Sequence, residues 1–528
     1  MKTVFEIRND TPRKATNKHW QFCVGSGQAK LAVRSDYAEQ LKFIHDELGI
    51  QRVRFHGIFD DSMQAYMGLD DFMPLPGSKN FRNYNFRNIA VAYDNVLSAG
   101  MKPWVELSFM PSRLAKSQKK VTVNSDGRCG MPKKDEDWQD FIRAFIRFLI
   151  ARYGKDEVES WNLEVWNEPN MSTFFSGSQA DYFHLYEITA RAVKEVDDQI
   201  PVGGPASAAG GWIAEFIDFV KKNHVPCDFI STHNYPGDGI GDVFLGKIMF
   251  DAIVGGARRL MKKGSGRTLD GCQAVMLDKS ELSEMAKGQM RQMAQQVATI
   301  VNDEYPLYFT EWNCNAILMS PSNDTRKVAS FQVKGIDEME DYLTGSSIWA
   351  FSDIFDEFVM IPDEFSGGFG LLTINGIPKP QFHALKLMSQ VGPRKYDLPY
   401  TNAEVEIAVY ESDAEKQIFV YRHRMKNVVE KAEDYEVKLE LSESVESVES
   451  VTLYRIDEEH CNPKKIWQQM GSPVDLTPAQ IVEIKEKSKL IPENVEVESS
   501  DGKLLLCGSL EVNDVHCYIV KTKEENML

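Results

Sequence analysis

Between about residue 20 and residue 390, short runs of β-forming residues alternate with longer stretches whose apolar positions recur at helical spacing. The short runs are FCVGSG (22–27), VRFHGIF (53–59), PWVELSF (103–109), WNLEVWNE (161–168), PVGGPA (201–206), CDFISTHNY (227–235), LYFTEW (307–312) and SSIWAFSD (346–353). Helical stretches between them include YAEQLKFIHDEL (37–48) and DWQDFIRAFIRFLIARY (137–153). In the second, Trp138, Phe141, Ile142, Phe145, Phe148 and Leu149 fall on one face. Eight strands, each followed by a helix, predict an α/β chain built as a (β/α)8 TIM barrel. An open doubly wound sheet alternates in the same way. Here, however, no Gly-rich phosphate loop follows the first strand, and the count stops at eight.

Beyond GIPKPQFHALKLMSQVGP (376–393) the period shortens to two, in runs such as EVEIAVYES, KQIFVYRHR, YEVKLELS, SVTLYRID and VHCYIV. Residues 394–528 are therefore expected to form an accessory antiparallel β-sandwich behind a catalytic barrel spanning 16–393. TPAQIVEIKEKSKL (477–490) is the exception, a helix opened by Thr-Pro. The N-terminal VFEIRND, within residues 1–15, is expected to join the sandwich. The sixth connection, about 236–305, is long and carries the basic run ARRLMKKGSGR (257–267), which reads as a solvated helix on an insertion overhanging the barrel mouth.

Composition narrows the function classes. The 528 residues carry a net charge of −18, which disfavours nucleic acid and anionic membrane as partners. No apolar run reaches the roughly 18 residues of a membrane span. The N-terminus lacks the apolar core and cleavage site of a secretory signal, so a cytoplasmic location is expected, or a periplasmic or secreted one if a signal has been removed. The eight cysteines are scattered, without C-x-x-C or zinc spacing, and read as reduced thiols. No metal and no cofactor is expected.

Catalytic groups of a barrel enzyme sit where its strands end. Glu168 closes the fourth predicted strand and Glu311 the seventh. Strand alternation places Glu164, Trp166 and Glu168 on one face. Two glutamates on separated strands can face each other across the mouth. Glycoside hydrolysis needs such a pair, one acid for the leaving oxygen and one carboxylate at the anomeric carbon. A plain ion pair at the barrel rim is the competing reading.

LEVWNEPN and YFTEW occur together with VRFHGIFDDS (53–62), KPWVELSFMPSRLA (102–115), VGGPA, STHNY, WAFSDIFDE (349–357) and GGFGLL…GIPKPQFHA (367–384). This set resembles glycoside hydrolase family 39, which includes β-xylosidases and α-L-iduronidase. The likeness continues into YRIDEEHCNPKKIWQQMGSP (454–473), as in the bacterial β-xylosidase branch. The resemblance implies that Glu168 is the acid/base and Glu311 the nucleophile of a retaining double displacement. It implies that Asn167 bonds the sugar 2-hydroxyl, that His56 and His233 bind sugar, and that Tyr235 holds Glu311. Asp356 and Glu357 match an acidic pair that grips hydroxyls, with Asp where Glu is expected first. Trp349 joins the substrate-binding set, and Phe109 either closes the pocket or belongs to the core. Glu106 and Glu164 are expected to point into the barrel as supporting ions, and Cys314 has no expected role.

The expected reaction is removal of a terminal sugar, β-D-xylose first, from an oligosaccharide. A β-galactoside, arabinoside or α-L-iduronide remains an alternative glycone, and a non-catalytic carbohydrate binder a more distant one. A uronide would need a cation at the site, for which Arg113 or the Arg258–Lys263 run are the candidates. The sandwich shows no exposed aromatic strip and reads as structural and as a homo-oligomer contact.

Overall fold

The computed structural model describes residues 2–78, 82–121, 125–243, 284–357, 363–442 and 444–523. Eight parallel strands close into a barrel: β1 (Cys23–Gln28), β2 (Arg52–His56), β3 (Lys102–Glu106), β4 (Asn162–Glu164), β5 (Val202–Ala208), β6 (Phe229–His233), β7 (Leu307–Trp312) and β8 (Gly345–Ile348). β8 pairs back onto β1 through Ser347–Cys23 and Ile348–Val24, which closes the ring.

The helix Asp135–Tyr153 buries Trp138, Phe141, Ile142, Phe145, Ile146 and Leu149, each contributing about 1.5–3 kcal/mol. Phe148 is only partly covered. Asp135, Glu136 and Asp137 in the first turn and Arg152 in the last suit the helix dipole.

Inward positions near the bottom of the barrel are aromatic. Trp104, Phe229 and Tyr308 pack ring on ring, with centroids 5.0, 5.1 and 5.7 Å apart. Two residues further along β3 and β7 the same face presents Glu106 and Thr310, and the interior turns polar. A barrel usually fills this level with branched apolar side chains. Here it holds charges.

Behind the barrel lie two sheets. The seven-stranded one runs Glu493–Val495, Val448–Ile456, Val515–Thr522, Glu415–Tyr421, Glu406–Glu411, Arg394–Tyr396 and Arg13–Ala15, all antiparallel. The four-stranded one runs Thr3–Ile7, Glu433–Leu439, Lys503–Leu510 and Glu498–Ser500. Val409, Ile418 and Val520 of the first share one apolar cluster with Ile7, Val437, Leu504 and Leu506 of the second, so the sheets pack face to face as a sandwich. Thr3–Ile7 pairs parallel to Glu433–Leu439, a departure from an all-antiparallel pattern. The N-terminal residues thus contribute a strand to each sheet.

Helix Pro478–Lys487 opens with a capping box: Thr477 Oγ1 accepts from the Gln480 N–H at 3.3 Å, and Gln480 Oε1 accepts from the Thr477 N–H at 2.9 Å. A second helix, Pro463–Gln469, falls in a stretch where the sequence pattern gave no helix; Asn462 caps it. Of the sixth connection, residues 236–243 and 284–305 are described, including helix Gln289–Val301, and the basic run 257–267 lies outside the described residues. Among the described residues no helix is long and apolar enough to cross a membrane.

Candidate active site

The charged level of the barrel is organised by Arg54 of β2, a fully buried guanidinium that the motif reading did not single out. Its Nε donates to Glu164 at 2.6 Å, its Nη1 to Glu311 at 2.8 Å and its Nη2 to Asn167 Oδ1 at 2.9 Å. Nη2 also lies 2.8 Å from Glu106. Only a planar fork with several donors reaches four acceptors at once. Glu106 and Glu164 lie inside the barrel and are held there; Glu106 also accepts from Ser108 and from His56 Nδ1 at 2.7 Å, and Glu164 from Thr310 at 2.8 Å.

Thr310 and Glu311 are consecutive, yet both reach the interior, which strict alternation forbids. The pairing explains it: the β6–β7 register slips between Thr232 and His233, and the β7–β8 register between Phe309 and Trp312. The irregularity re-aims Glu311 toward the mouth, a common use of bulges beside functional sites. Tyr235, just past β6, donates its hydroxyl to Glu311 Oε2 at 3.1 Å.

Glu168 reaches the site by a different route from the one expected. β4 ends at Glu164, so Glu164, Trp166 and Glu168 do not share a face. The chain turns instead, with Trp166 at φ 75° and Glu168 at φ 42°. Left-handed backbone at such residues costs about 1–3 kcal/mol each and is held only by its surroundings. Trp166 donates its indole N–H to Phe174 O at 3.2 Å and packs against Phe109 and Phe175. The Glu168 N–H donates to Ala206 O at 2.8 Å. This turn aims the Glu168 carboxyl at His233, with Nδ1 2.9 Å from Oε1.

One oxygen each of Glu168 and Glu311 and one ring nitrogen of His233 lie within 4.8 Å of one another. Such a set could ligate a cation, but Arg54 and His56 already supply positive charge to Glu311. Burial, then the charge of Glu311, pushes the Glu168 carboxyl well above its ordinary range. Burial also raises Glu311, against the opposing pull of Arg54, His56 and the Tyr235 hydroxyl. The proton therefore favours Glu168. His233 is driven well below the usual histidine range by burial and by the charges of Arg54 and His56, so it is neutral. Among the described residues its Nε2 is buried without a partner, and a buried orphan N–H is rarer than an orphan lone pair. The proton is thus assigned to Nδ1, which leaves the second oxygen of Glu168 to carry the acid proton.

The remaining predicted residues sort by position. Burial pulls His56 down, but Glu106, Glu357 and Glu311 carry it up to about 9, and its Nε2 stands 3.6 Å from Glu311 and 3.5 Å from Glu357. Glu357 is raised to about 8 by burial and by Glu311 and Asp356. Trp349 lies 4.9 Å from His56 between ring centroids, and Gly25 makes room for it: a Cβ there would stand 2.4 Å from its Cε3. Asp356 is paired with Lys30 at 3.0 Å. Phe109 is fully buried against Trp166, Phe174 and His56, and presents no surface to a sugar. Arg113 is engaged by Asp70 and Asp71.

The family model for glycosyl hydrolases family 39 matches residues 3–255 and 270–504. The chain is 37% identical to a β-xylosidase of Caldicellulosiruptor saccharolyticus over 484 residues, 91% of this chain and 90% of that one. It is 31% identical over 512 residues to a β-xylosidase of Geobacillus stearothermophilus, covering 95% and 92%. The crystal structure of a monomeric β-xylosidase from Caulobacter crescentus CB15 superposes with a TM-score of 0.76 at 27% identity, covering 99% of this chain and 100% of that one. Likeness of this length and identity establishes that the chain belongs to glycosyl hydrolase family 39 and is a glycoside hydrolase.

Proposed function

We propose that the protein removes terminal β-D-xylose from oligosaccharides or glycosides, with retention of configuration, using Glu168 as acid/base and Glu311 as nucleophile. The observation that carries this reading is the approach of the two carboxylates, one oxygen of each lying within 4.8 Å of the other. Retaining glycosidases hold their carboxyl groups about 5–5.5 Å apart, and inverting ones about 6.5–9.5 Å to admit a water.

In the first step a Glu311 oxygen forms a bond to the anomeric carbon as the glycosidic C–O bond breaks. Glu168 gives its proton to the departing oxygen, and the aglycone leaves as an alcohol. Asn167 supports this step through its amide. Arg54 only donates, so it fixes the Oδ1 of Asn167 and leaves the NH2 to donate to the 2-hydroxyl oxygen. Esterified Glu311 no longer bears a charge, so Glu168, now ionised, becomes less basic than it would be beside a carboxylate. In the second step Glu168 takes a proton from water, the water oxygen bonds to the anomeric carbon, and the bond to Glu311 breaks. His56, His233, Trp349, Asp356 and Glu357 form the glycone pocket in this reading, and the sandwich is an accessory unit.

A neutral glycone suits the charge balance better than a uronide. Arg54 is enclosed by carboxylates, Arg113 is held by Asp70 and Asp71, and Lys30 pairs with Asp356. A substrate carboxylate would meet Glu168, Glu311 and Glu357 with no uncommitted cation beside them among the described residues. The test is a panel of p-nitrophenyl glycosides with wild type, Glu168→Ala and Glu311→Ala. Turnover of the β-xyloside, abolished in both variants, is expected. Turnover confined to another glycoside refutes the xylosidase assignment, and no turnover of any substrate favours a carbohydrate binder.

A further inference from the structure

We propose that Lys379 is a positioning residue for glycone binding, tying the loops after β7 and β8 together and so fixing the segment that carries Trp349 and Glu357. The inference rests on the glycone pocket proposed above and adds what holds its β8 side in place. Lys379, in the GIPKPQFHA stretch, directly precedes the helix Pro380–Ser389 and has no exposed side-chain surface. Its ammonium lies 2.7 Å from Asp324 Oδ1 and 2.7 Å from Asp353 Oδ2, and donates to Gly368 O at 3.0 Å. An ammonium has three protons, and three acceptors surround this one. Burial pulls Lys379 down, but Asp324 and Asp353 carry it up, so the lysine stays charged. The acceptors come from three segments: the turn Pro321–Asp324 after β7, the chain just past β8, and the GGFG return at 367–370.

Those segments are built around Trp349. Residues 350–353 pair backbone to backbone with 369–372: the Leu371 N–H donates to Ala350 O at 3.1 Å, the Leu372 N–H to Phe351 O at 3.1 Å and the Asp353 N–H to Leu372 O at 2.9 Å. Both carboxylates pin the return. The Gly370 N–H donates to Asp353 Oδ1 and the Gly367 N–H to Asp324 Oδ2, each at 2.7 Å. Gly368 permits the close approach, since a Cβ there would stand 2.2 Å from Asp353 Oδ1. Trp349 is held to the end of β7 as well, its N–H donating to Trp312 O at 3.0 Å and its carbonyl accepting from the Asn313 amide. Asp353 stands midway in sequence between Trp349 and Glu357, the two residues of this segment that approach His56.

The charges separate two roles that Lys379 could fill. Two buried carboxylates against one ammonium leave one negative charge over, and Lys464 of the helix Pro463–Gln469 stands 3.5 Å from Asp324 Oδ2. The four groups together are neutral. Lys379→Met alone strands a buried carboxylate, which destabilises whatever else the lysine does. Lys379→Met with Asp353→Asn leaves Asp324 facing Lys464, so the charges balance again. The tie between the two loops stays cut, because no ammonium then joins residue 324 to residue 353. A counter-ion is replaced by this double change, and a positioning residue is not.

The test compares wild type, Lys379→Met, Asp353→Asn and the Lys379→Met/Asp353→Asn double variant by thermal melting, by kcat/KM on p-nitrophenyl β-xyloside and by the inhibition constant of free xylose. The double variant should melt well above Lys379→Met, yet keep a loss of about tenfold or more in kcat/KM and a parallel rise in the xylose inhibition constant. Asp353→Asn, which retains an acceptor for the Gly370 N–H, should show the same two changes at about threefold, and decides the matter if the lysine variants fail to fold. Recovery of melting and kcat/KM together in the double variant would reduce Lys379 to a counter-ion and overturn the proposal. A fall in kcat/KM with the xylose inhibition constant unmoved, or no kinetic change in any variant, would overturn it as well. A wild type active only on another glycoside would overturn the xyloside reading alone, and the same comparison with that glycoside and its free sugar would then judge Lys379. A wild type inert on every glycoside would overturn the catalytic reading, and the proposal with it.

Discussion

Replacing Arg54 by Met should be the most damaging single change in the barrel interior. The guanidinium stands 2.8, 2.6 and 2.8 Å from Glu106, Glu164 and Glu311, and Arg54, Glu106 and Glu164 have no exposed side-chain surface. Removing one partner of a buried ion pair costs about 3–5 kcal/mol, because the charge left behind has no solvent to relax into. His56 still compensates Glu106, and Thr310 still donates to Glu164, so the loss should remain in that range rather than triple. Compared with a typical total stability of about 5–15 kcal/mol for a domain, the change is large. Urea unfolding measures it. A second readout is independent of stability. Arg54 is the leading influence opposing burial at Glu311, so its loss raises the Glu311 pKa and moves the acid limb of kcat/KM to higher pH. Adding Glu164→Gln to Arg54→Met removes one stranded charge and should restore at least about 1 kcal/mol. A loss below about 1 kcal/mol with an unmoved acid limb would refute the view that Arg54 organises the site.

Glu168→Gln should lower kcat/KM on glycosides with poor leaving groups by about 10²–10⁴, spare kcat/KM on dinitrophenyl glycosides while lowering their kcat through the lost base of the second step, and abolish the alkaline limb of the pH–rate profile. In the wild type that limb should lie above the ordinary carboxylate range, since burial and Glu311 raise the group that must stay protonated. Tyr235→Phe removes one hydrogen bond to a charged acceptor, worth about 1.5–3 kcal/mol, so steady-state kinetics should show a roughly 10–100-fold fall in kcat/KM. His56 is raised from 6.5 to about 9 in the folded protein, so its contribution to stability is complete below pH 6.5 and lost as pH rises through about 9. Melting temperature should accordingly fall more steeply over that window in wild type than in His56→Asn.

The barrel was legible in the sequence because its strands read as compact apolar runs at the right count, and period alone carries that information. The positions of Glu168 and Glu311 followed from the ends of those runs, but the way each reaches the cavity did not. Alternation predicted a regular strand through residue 168, whereas the chain leaves β4 at Glu164 and turns through two left-handed residues. A bulge at Glu311 is equally invisible, since it depends on the register of two neighbouring strands. Arg54 could have been found: an arginine two residues before His56 faces inward on the same strand, and inward Glu106 and Glu164 require a counter-charge. Phe109 shows the opposite failure, because an aromatic at a strand end fits pocket and core alike until its neighbours are known. The parallel pairing of Thr3–Ile7 with a strand more than 400 residues away is likewise beyond any local pattern.

Trapping the glycosyl-enzyme tests the central claim most directly. The protein is incubated with 2,4-dinitrophenyl 2-deoxy-2-fluoro-β-xyloside, whose fluorine slows turnover of the covalent intermediate, and then analysed by intact-mass and peptide-mass spectrometry. A retaining mechanism through Glu311 predicts an increase of one fluoroxylosyl group, located on the peptide that carries LYFTEW and absent in Glu311→Ala. An unlabelled protein that still turns over the unfluorinated xyloside, or a label on any other residue, would contradict it.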